Sequence, residues 1–348
     1  MCLYPKLIIN PKYKPNKKNG GKPPFPLDPR VIYVPIECKH CIECKKARQR
    51  EWQVRLAEDI KTNRNGKMIT LTFSNDSIKE LSKLTGLKGY YRDNRIATMA
   101  VRKFTERWRK KHKKTIRHFL VTELGHQNTE NIHLHGIVWT NESFEEIEKH
   151  WQYGHIWPSK EQRKNNFVNC KTVNYITKYI SKMDLLHTYY EPIILTSKGI
   201  GSNYTKTPQA NYNKFNETDT NETYRTSTGH KINMPIYWRN KIYTEEEREK
   251  LWLQKLDKNI RWIRGEKIDM SKPETYFELL KYYQRKNREL GYRSNQIDWN
   301  EKDYQNEIRD ILTNRRIKNY ELAACRELDR TQNHTADRDW ETFSFQSI

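Results

Sequence analysis

An α+β fold is what this sequence predicts, and two observations predict it. Stretches of alternating apolar and polar residues are interleaved with longer stretches of helical periodicity. Two of the alternating stretches, 117–125 and 132–139, are separated only by the polar segment HQNTEN, which marks an antiparallel hairpin. The 348 residues are enough for a sizeable core and for two or three domains.

The first 36 residues are rich in Pro and Lys and read as an arm rather than a domain. Cys38, Cys41 and Cys44 follow at Cys-x-x-Cys-x-x-Cys spacing. A helix is expected over 43–63, with Ala47, Trp52, Leu56 and Ile60 on one face. In 66–76, Met68, Thr70 and Thr72 face one side of a strand and Ile69, Leu71 and Phe73 the other. A basic helix is expected around 97–113, then the hairpin, a helix over 143–152 and a further helix within 166–186. The Asn- and Thr-rich stretch 206–243 reads as a loop or linker, and 244–348 as a charged helical extension whose tail, 331–348, is expected to be disordered. The expected division is therefore 1–65 (arm, Cys cluster and basic helix), 66–205 (catalytic domain), 206–243 and 244–348.

Lys and Arg number 65 against 43 Asp and Glu, a net charge of +22. This excess points to a polyanionic partner, nucleic acid before acidic membrane. The 21 Tyr and 10 Trp offer rings on which bases can stack while the cations follow phosphates. Basic residues on the helices at 43–63 and 97–113 are candidates for phosphate contacts. No run approaches the roughly 18–20 apolar residues of a membrane span. The N-terminus lacks the apolar core of a signal peptide, so a cytoplasmic location without disulfides is expected.

Residues i and i+2 of a strand share a face, so His133 and His135 project together while Leu134 enters the core. Folding the hairpin brings Glu123 beside them. Two imidazoles and one carboxylate with open positions favour Mg²⁺ or Mn²⁺, with Zn²⁺ the other candidate. In the helix within 166–186, Tyr175, Lys178, Tyr179 and Lys182 fall in one sector, and Val173, Ile176 and Ile180 in another. A tyrosine hydroxyl, with a pKa near ~10, is a poor nucleophile at neutral pH. A metal on a phosphodiester and a nearby Lys⁺ supply what it lacks. The cysteines suit a structural Zn²⁺, with Cys2 or His40 as fourth ligand; plain buried or surface thiols are the alternative. Cys170 and Cys325 read as ordinary residues.

The segments ITLTF (69–73), HLHGIVW (133–139) and YITKYISK (175–182), in that order, resemble the three motifs of HUH endonucleases, the rolling-circle replication initiators. The paired tyrosines are similar to those of the two-tyrosine members. MCLYPKLIINPKY, CKHCIECKKARQREWQVRL and SKGIGSNY (197–204) further resemble initiators of gokushovirus-like microviruses, bacteriophages with circular single-stranded DNA. The resemblance implies a central antiparallel sheet of split βαβ type flanked by helices, with the histidines on a central strand and the tyrosines on an adjacent helix. It implies nicking of the viral origin through a 5′-phosphotyrosine with a free 3′-OH, and rejoining without ATP. Tyr175 and Tyr179 would alternate as nucleophiles, and Glu123 would be the acidic metal ligand. Implied partners are single-stranded DNA at the origin and a host helicase and polymerase, in the cytoplasm of a bacterial host. A relaxase is disfavoured because the tyrosines follow the histidines. The competing reading is a zinc-stabilised basic nucleic-acid-binding protein, packaging or regulatory, without catalysis.

Overall fold

The computed structural model describes residues 1–126, 129–294, 306 and 308–327; the tail 331–348 lies outside them. Its centre is a five-stranded antiparallel sheet between two layers of helices. The strands are β3 (Gly66–Leu71), β4 (Arg117–Leu124), β5 (Ile132–Trp139), β6 (Ile156–Trp157) and β7 (Ile194–Thr196), in spatial order β6-β3-β5-β4-β7. β1 (Lys6–Ile9) and β2 (Tyr33–Ile36) pair with each other in the N-terminal segment, which is thus a two-stranded ribbon closing a long loop.

Alternation along the central strands divides their side chains between two cores. Ile69, Leu71, Leu120, Leu124, Ile132, Leu134 and Val138 point to one side. There they meet α3 (Gly89–His112), whose Ile96, Ala97, Ala100, Val101, Phe104 and Trp108 recur at helical spacing and are buried. Phe119, Val121, Ile137 and Trp139 point to the other side. That face is covered by Trp52, Leu56 and Ile60 of α1 (Ile42–Thr62) and by Val173, Ile176 and Ile180 of α5 (Cys170–Ser181). The two basic helices therefore lie on opposite faces of the sheet.

Several elements differ from expectation for identifiable reasons. The helix expected over 97–113 begins eight residues earlier, at Gly89, and is preceded by α2 (Asn75–Thr85). α2 is bounded by local signals: Ser74 accepts from the Ser77 N–H at 3.2 Å, and Gly86 ends it with φ of 63°. α4 (Phe144–Trp151) begins after a Ser143 cap. The Asn- and Thr-rich stretch contains α6 (Pro208–Asn211), a ribbon of β8 (Thr223–Arg225) and β9 (Lys231–Asn233), and α7 (Ile236–Ile242). Its Tyr224, Met234 and Trp238 are buried with Tyr204 and with Val54 of α1. Asn213 is buried there because it is satisfied: it accepts from Tyr204 Oη at 2.6 Å and donates to the carbonyls of Asn221 and Thr223 at 2.6 and 2.9 Å.

In the C-terminal extension α8 (Glu245–Asp257) is helical as expected, but 260–269 is a ribbon of β10 (Ile260–Ile263) and β11 (Glu266–Asp269). Arg264 and Gly265, with φ of 50° and 93°, form its tight turn. α9 (Pro273–Glu289) and a helix over 308–327 complete the described chain. Among the described residues no helix is long and apolar enough to cross a membrane.

Gly136 sits between β3 and β4, opposite Ile69 and Leu120. A Cβ there would lie 2.0 Å from the Phe119 carbonyl oxygen, a backbone atom that cannot swing away. Gly136→Ala is expected to cost about 3 kcal/mol in urea unfolding; a loss below about 1 kcal/mol would mean the central strands separate more easily than this packing requires.

Candidate active site and cysteine cluster

The central hairpin places the acid and the histidines by register alone. Glu123 on β4 lies opposite His133 on β5, and His135 lies opposite Val121 on one side and Thr70 of β3 on the other. All the polar members of this group project from the face covered by α1 and α5. Glu123 Oε2 is 2.8 Å from His135 Nε2 and 3.5 Å from His133 Nε2. One ligand atom from each of the three residues falls within 4.8 Å of the others.

The outer ring nitrogens are held from behind. His133 Nδ1 is 3.2 Å from the Asn131 carbonyl, which can only accept, so Nδ1 carries the proton and Nε2 of the neutral ring keeps its lone pair. His135 Nδ1 is 3.0 Å from Thr70 Oγ1. His135 Nε2 is buried and, despite its closeness to Glu123, lies too far off the ring's hydrogen-bonding direction to have a partner. The site thus holds an orphaned polar atom aimed at its centre.

α5 carries the tyrosines over the same face. Its start is set by Asn169, whose side chain accepts from the Thr172 N–H at 3.0 Å. Val173, Ile176 and Ile180 pin it to the sheet, leaving the Tyr–Lys sector toward the histidines and solvent. The ring of Tyr179 stacks on His135 with centroids 4.3 Å apart and planes 3° from parallel. Tyr179 Oη donates to Tyr175 Oη at 2.7 Å. Tyr175 is 39% exposed and Tyr179 only 7%. Lys178 Nζ lies 4.1 Å from the Tyr175 ring centroid and 5.4 Å from that of Tyr179. Lys182, just past the helix, pairs with Glu123 Oε1.

Electrostatics follow from this crowding. Burial would raise the Glu123 carboxyl, but contacts with His133, His135 and Lys182 outweigh it and hold the group well below the usual carboxylate range. Burial pushes His135 down, more strongly than Glu123 lifts it, and the His133 and Lys182 charges add to the lowering. Burial, the bond to Tyr175 and the Glu123 charge all raise Tyr179.

Glu123, His133, His135, Tyr175, Tyr179, Lys178 and Lys182 are therefore all brought into one neighbourhood. Thr70 and the Asn131 carbonyl are the parts that sequence reasoning did not single out. The alternation of ITLTF put Thr70 on the correct face, but only the ladder register sets it against His135. A separate group escaped notice entirely: His112 Nε2 is 3.1 Å from Glu146 Oε1, and His150 Nδ1 donates to the Glu146 carbonyl at 2.8 Å. These bonds tie the end of α3 to α4 on the opposite face of the sheet. Cys2, Cys38, Cys41 and Cys44 converge in a further cluster; His40 does not join them but pairs through Nδ1 with Glu191. Cys170 and Cys325 are exposed.

Residues 66–184 match the family model of the replication-associated protein ORF2 type. The matched segment runs from the first residue of β3 past the end of α5, so it contains the acid, both histidines and both tyrosines, and it covers about a third of the 348 residues. This likeness is consistent with a rolling-circle replication initiator. No curated protein and no solved structure matches the chain.

The lowered His135 predicts an order of titration. The neutral ring is favoured in the fold, so stability tied to His135 is present above the ordinary histidine value near ~6.5 and is lost as pH falls below it. In an NMR titration His135 is expected to have its midpoint below that value, and Glu123→Gln, by removing the one partner that raises it, should move the midpoint lower still. An upward move would show that the carboxylate is not what lifts this imidazole.

Proposed function

We propose that the protein is a replication initiator that nicks single-stranded DNA at an origin and rejoins it during rolling-circle replication, through a tyrosyl 5′-phosphate intermediate. The observation that carries this reading is the meeting, on one sheet face, of a carboxylate–imidazole triad and two hydroxyl-linked tyrosines on one helix. The match of residues 66–184 to a replication-associated family model supports it independently.

Glu123, His133 and His135 would hold a divalent cation, Mg²⁺ or Mn²⁺, with Zn²⁺ the alternative. The donor set fits: the carboxylate stays ionised, His133 and His135 favour Nε2 as the free lone pair, and the orphaned His135 Nε2 gains a partner. When bound, the ion supplies charge withdrawal from the scissile phosphate and a fixed orientation for it. Thr70 and the Asn131 carbonyl set the histidine rings. The attacking tyrosine loses its proton and forms an O–P bond as the P–O3′ bond breaks; the departing oxygen takes up a proton and becomes the 3′-OH. Lys178, over the Tyr175 ring, and Lys182 place positive charge where the phenolate and the crowded phosphorus develop negative charge. Tyr175, the exposed hydroxyl, meets an incoming strand first and is assigned the first attack; Tyr179 is assigned the second. Reversal by a 3′-OH reseals the strand, since the phosphotyrosine keeps the energy of the original ester.

The finer reading is an initiator of a microvirus, acting on the phage origin in the host cytoplasm with a host helicase and polymerase. It rests on the motifs at 1–13, 38–56 and 197–204.

The deciding experiment incubates the full chain and Mn²⁺ with a pool of 3′-end-labelled single-stranded DNA. A labelled protein band that survives denaturation is expected, absent from Tyr175→Phe/Tyr179→Phe. Tyr175→Phe alone should lose the first adduct and Tyr179→Phe retain it. An adduct on the double variant would refute the mechanism, and DNA binding without any adduct would favour the non-catalytic reading. A second measurement addresses the support beneath the histidines. Thr70→Val should weaken Mn²⁺ binding about 10–100-fold in calorimetry, and Thr70→Ser should restore it; unchanged binding by the valine variant would remove Thr70 from the site.

A further inference from the structure

Four sulfurs meet where the start of the chain packs against the C-terminal extension. Cys2, Cys38, Cys41 and Cys44 are buried free thiols, and their Sγ atoms lie within 4.8 Å of one another. Cys38 Sγ and Cys44 Sγ are 3.9 Å apart. A disulfide requires about 2.05 Å. A tetrahedron of thiolates at about 2.3 Å from a zinc ion has edges of roughly 3.8 Å. The observed spacing is that of ligands around an ion.

The surroundings favour thiolates. The N–H groups of Tyr4 and Cys38 donate to Cys2 Sγ at 3.3 and 3.2 Å, and that of Cys41 donates to Cys38 Sγ at 3.3 Å. A neutral thiol is a weak acceptor, so backbone donors aimed at sulfur suit its charged form. Cys41 is the N-cap of α1 and Cys44 lies in its first turn, at the positive end of a 21-residue helix. Around them the walls are apolar: Leu3, Ile42, Ile263 and Ile268, with Tyr276 and Leu279 packed outside. Thiolates gathered in such a pocket require a cation.

We propose that these four cysteines hold a structural Zn²⁺, and that β10, β11 and α9 form the cover of the site. The soft donor set selects zinc over the hard ions suited to the Glu123 triad. Four S–Zn bonds form, the thiol protons pass to solvent, and no electron is transferred. Cys2 is the fourth ligand. α9 is stitched to the ligand loops by Asn287, whose Oδ1 accepts from the Ile42 N–H at 2.9 Å, and by Gln284, which donates to the Leu3 carbonyl at 2.7 Å.

The test uses the full chain. Elemental analysis is expected to find one zinc per chain that persists in His133→Ala/His135→Ala and disappears in Cys38→Ser/Cys41→Ser, while Cys170→Ser and Cys325→Ser retain it. Growth with Co²⁺ should give the thiolate charge-transfer and visible bands of a tetrahedral sulfur site, and this readout decides the matter if the cysteine variant does not fold. Stripping the metal should speed tryptic cutting within 273–290 severalfold. Zinc lost with the histidines but kept without Cys38 and Cys41 would overturn the assignment, as would iron in place of zinc or four thiols reactive in the untreated native protein. Unchanged proteolysis of the stripped protein would overturn the role given to α9. None of these outcomes depends on nicking.

Discussion

The pairing of β4 with β5 is the constraint on which the candidate site depends. In its register Glu123 faces His133, and both share a sheet face with His135. A slip of one residue would turn the histidines into the opposite core, where Ile132 and Leu134 now pack, because side chains alternate with a period of two. That core is well filled and apolar, so the slip would bury imidazoles among Phe104, Trp108 and Val138 and expose isoleucine and leucine in their place. The hydrophobic pattern that fixes the register therefore also assembles the triad. Gly136 permits the close fit of β5 against β4, and α5 can descend over the other face because Val173, Ile176 and Ile180 match the stripe of Phe119, Val121 and Ile137.

Placing a carboxylate and two imidazoles on a mostly covered face is costly unless each is paired. The chain offsets part of that cost from within: Lys182 meets one carboxylate oxygen, Thr70 and the Asn131 carbonyl meet the outer ring nitrogens, and Tyr179 lies flat on His135. What is left over is concentrated at one point, the inner nitrogens and Glu123 Oε2. On the proposed function that remainder is where a cation adds most, and Lys182 is the residue whose attachment to Glu123 it would loosen toward the phosphate.

The parts of this arrangement that were legible in the sequence are those written in periodicity. The strand 132–139, the inward Leu134, the shared face of His133 and His135 and the two sectors of α5 follow from spacings of two and of three to four residues. What was not legible depends on contacts between distant segments. Thr70 reaches His135 across a ladder whose register no local pattern states. Cys2 rather than His40 joins the other sulfurs because β1 pairs with β2 and because Glu191, 151 positions beyond His40, takes its imidazole. The buried core around Trp238 lay hidden in a polar composition, since its aromatics are irregularly spaced and Asn213 bonds the loops from inside. For 260–269 a short ribbon between two helices was masked by helical composition on either side, although the Arg264–Gly265 turn is a local signal.

α1 joins the two clusters. It begins among the sulfurs, with Cys41 capping it and Cys44 in its first turn, and continues along α5, to which Gln53 bonds through Asn174 at 2.6 Å. Farther on, Leu56 packs under the sheet beside Ile176 and Tyr179. Twenty-one helical residues span about 30 Å with little give, so whatever fixes the first turn of α1 also sets the angle at which it supports the tyrosine helix. The C-terminal extension touches this beam at its start, through Asn287 on Ile42, and touches α5 at its end, through Tyr292 Oη on the Ser181 carbonyl at 3.4 Å. A segment without a share in the matched residues 66–184 thus braces both ends of the α1–α5 pair. That gives a physical reason for the catalytic half of such a chain to be tied to elements so far away in sequence.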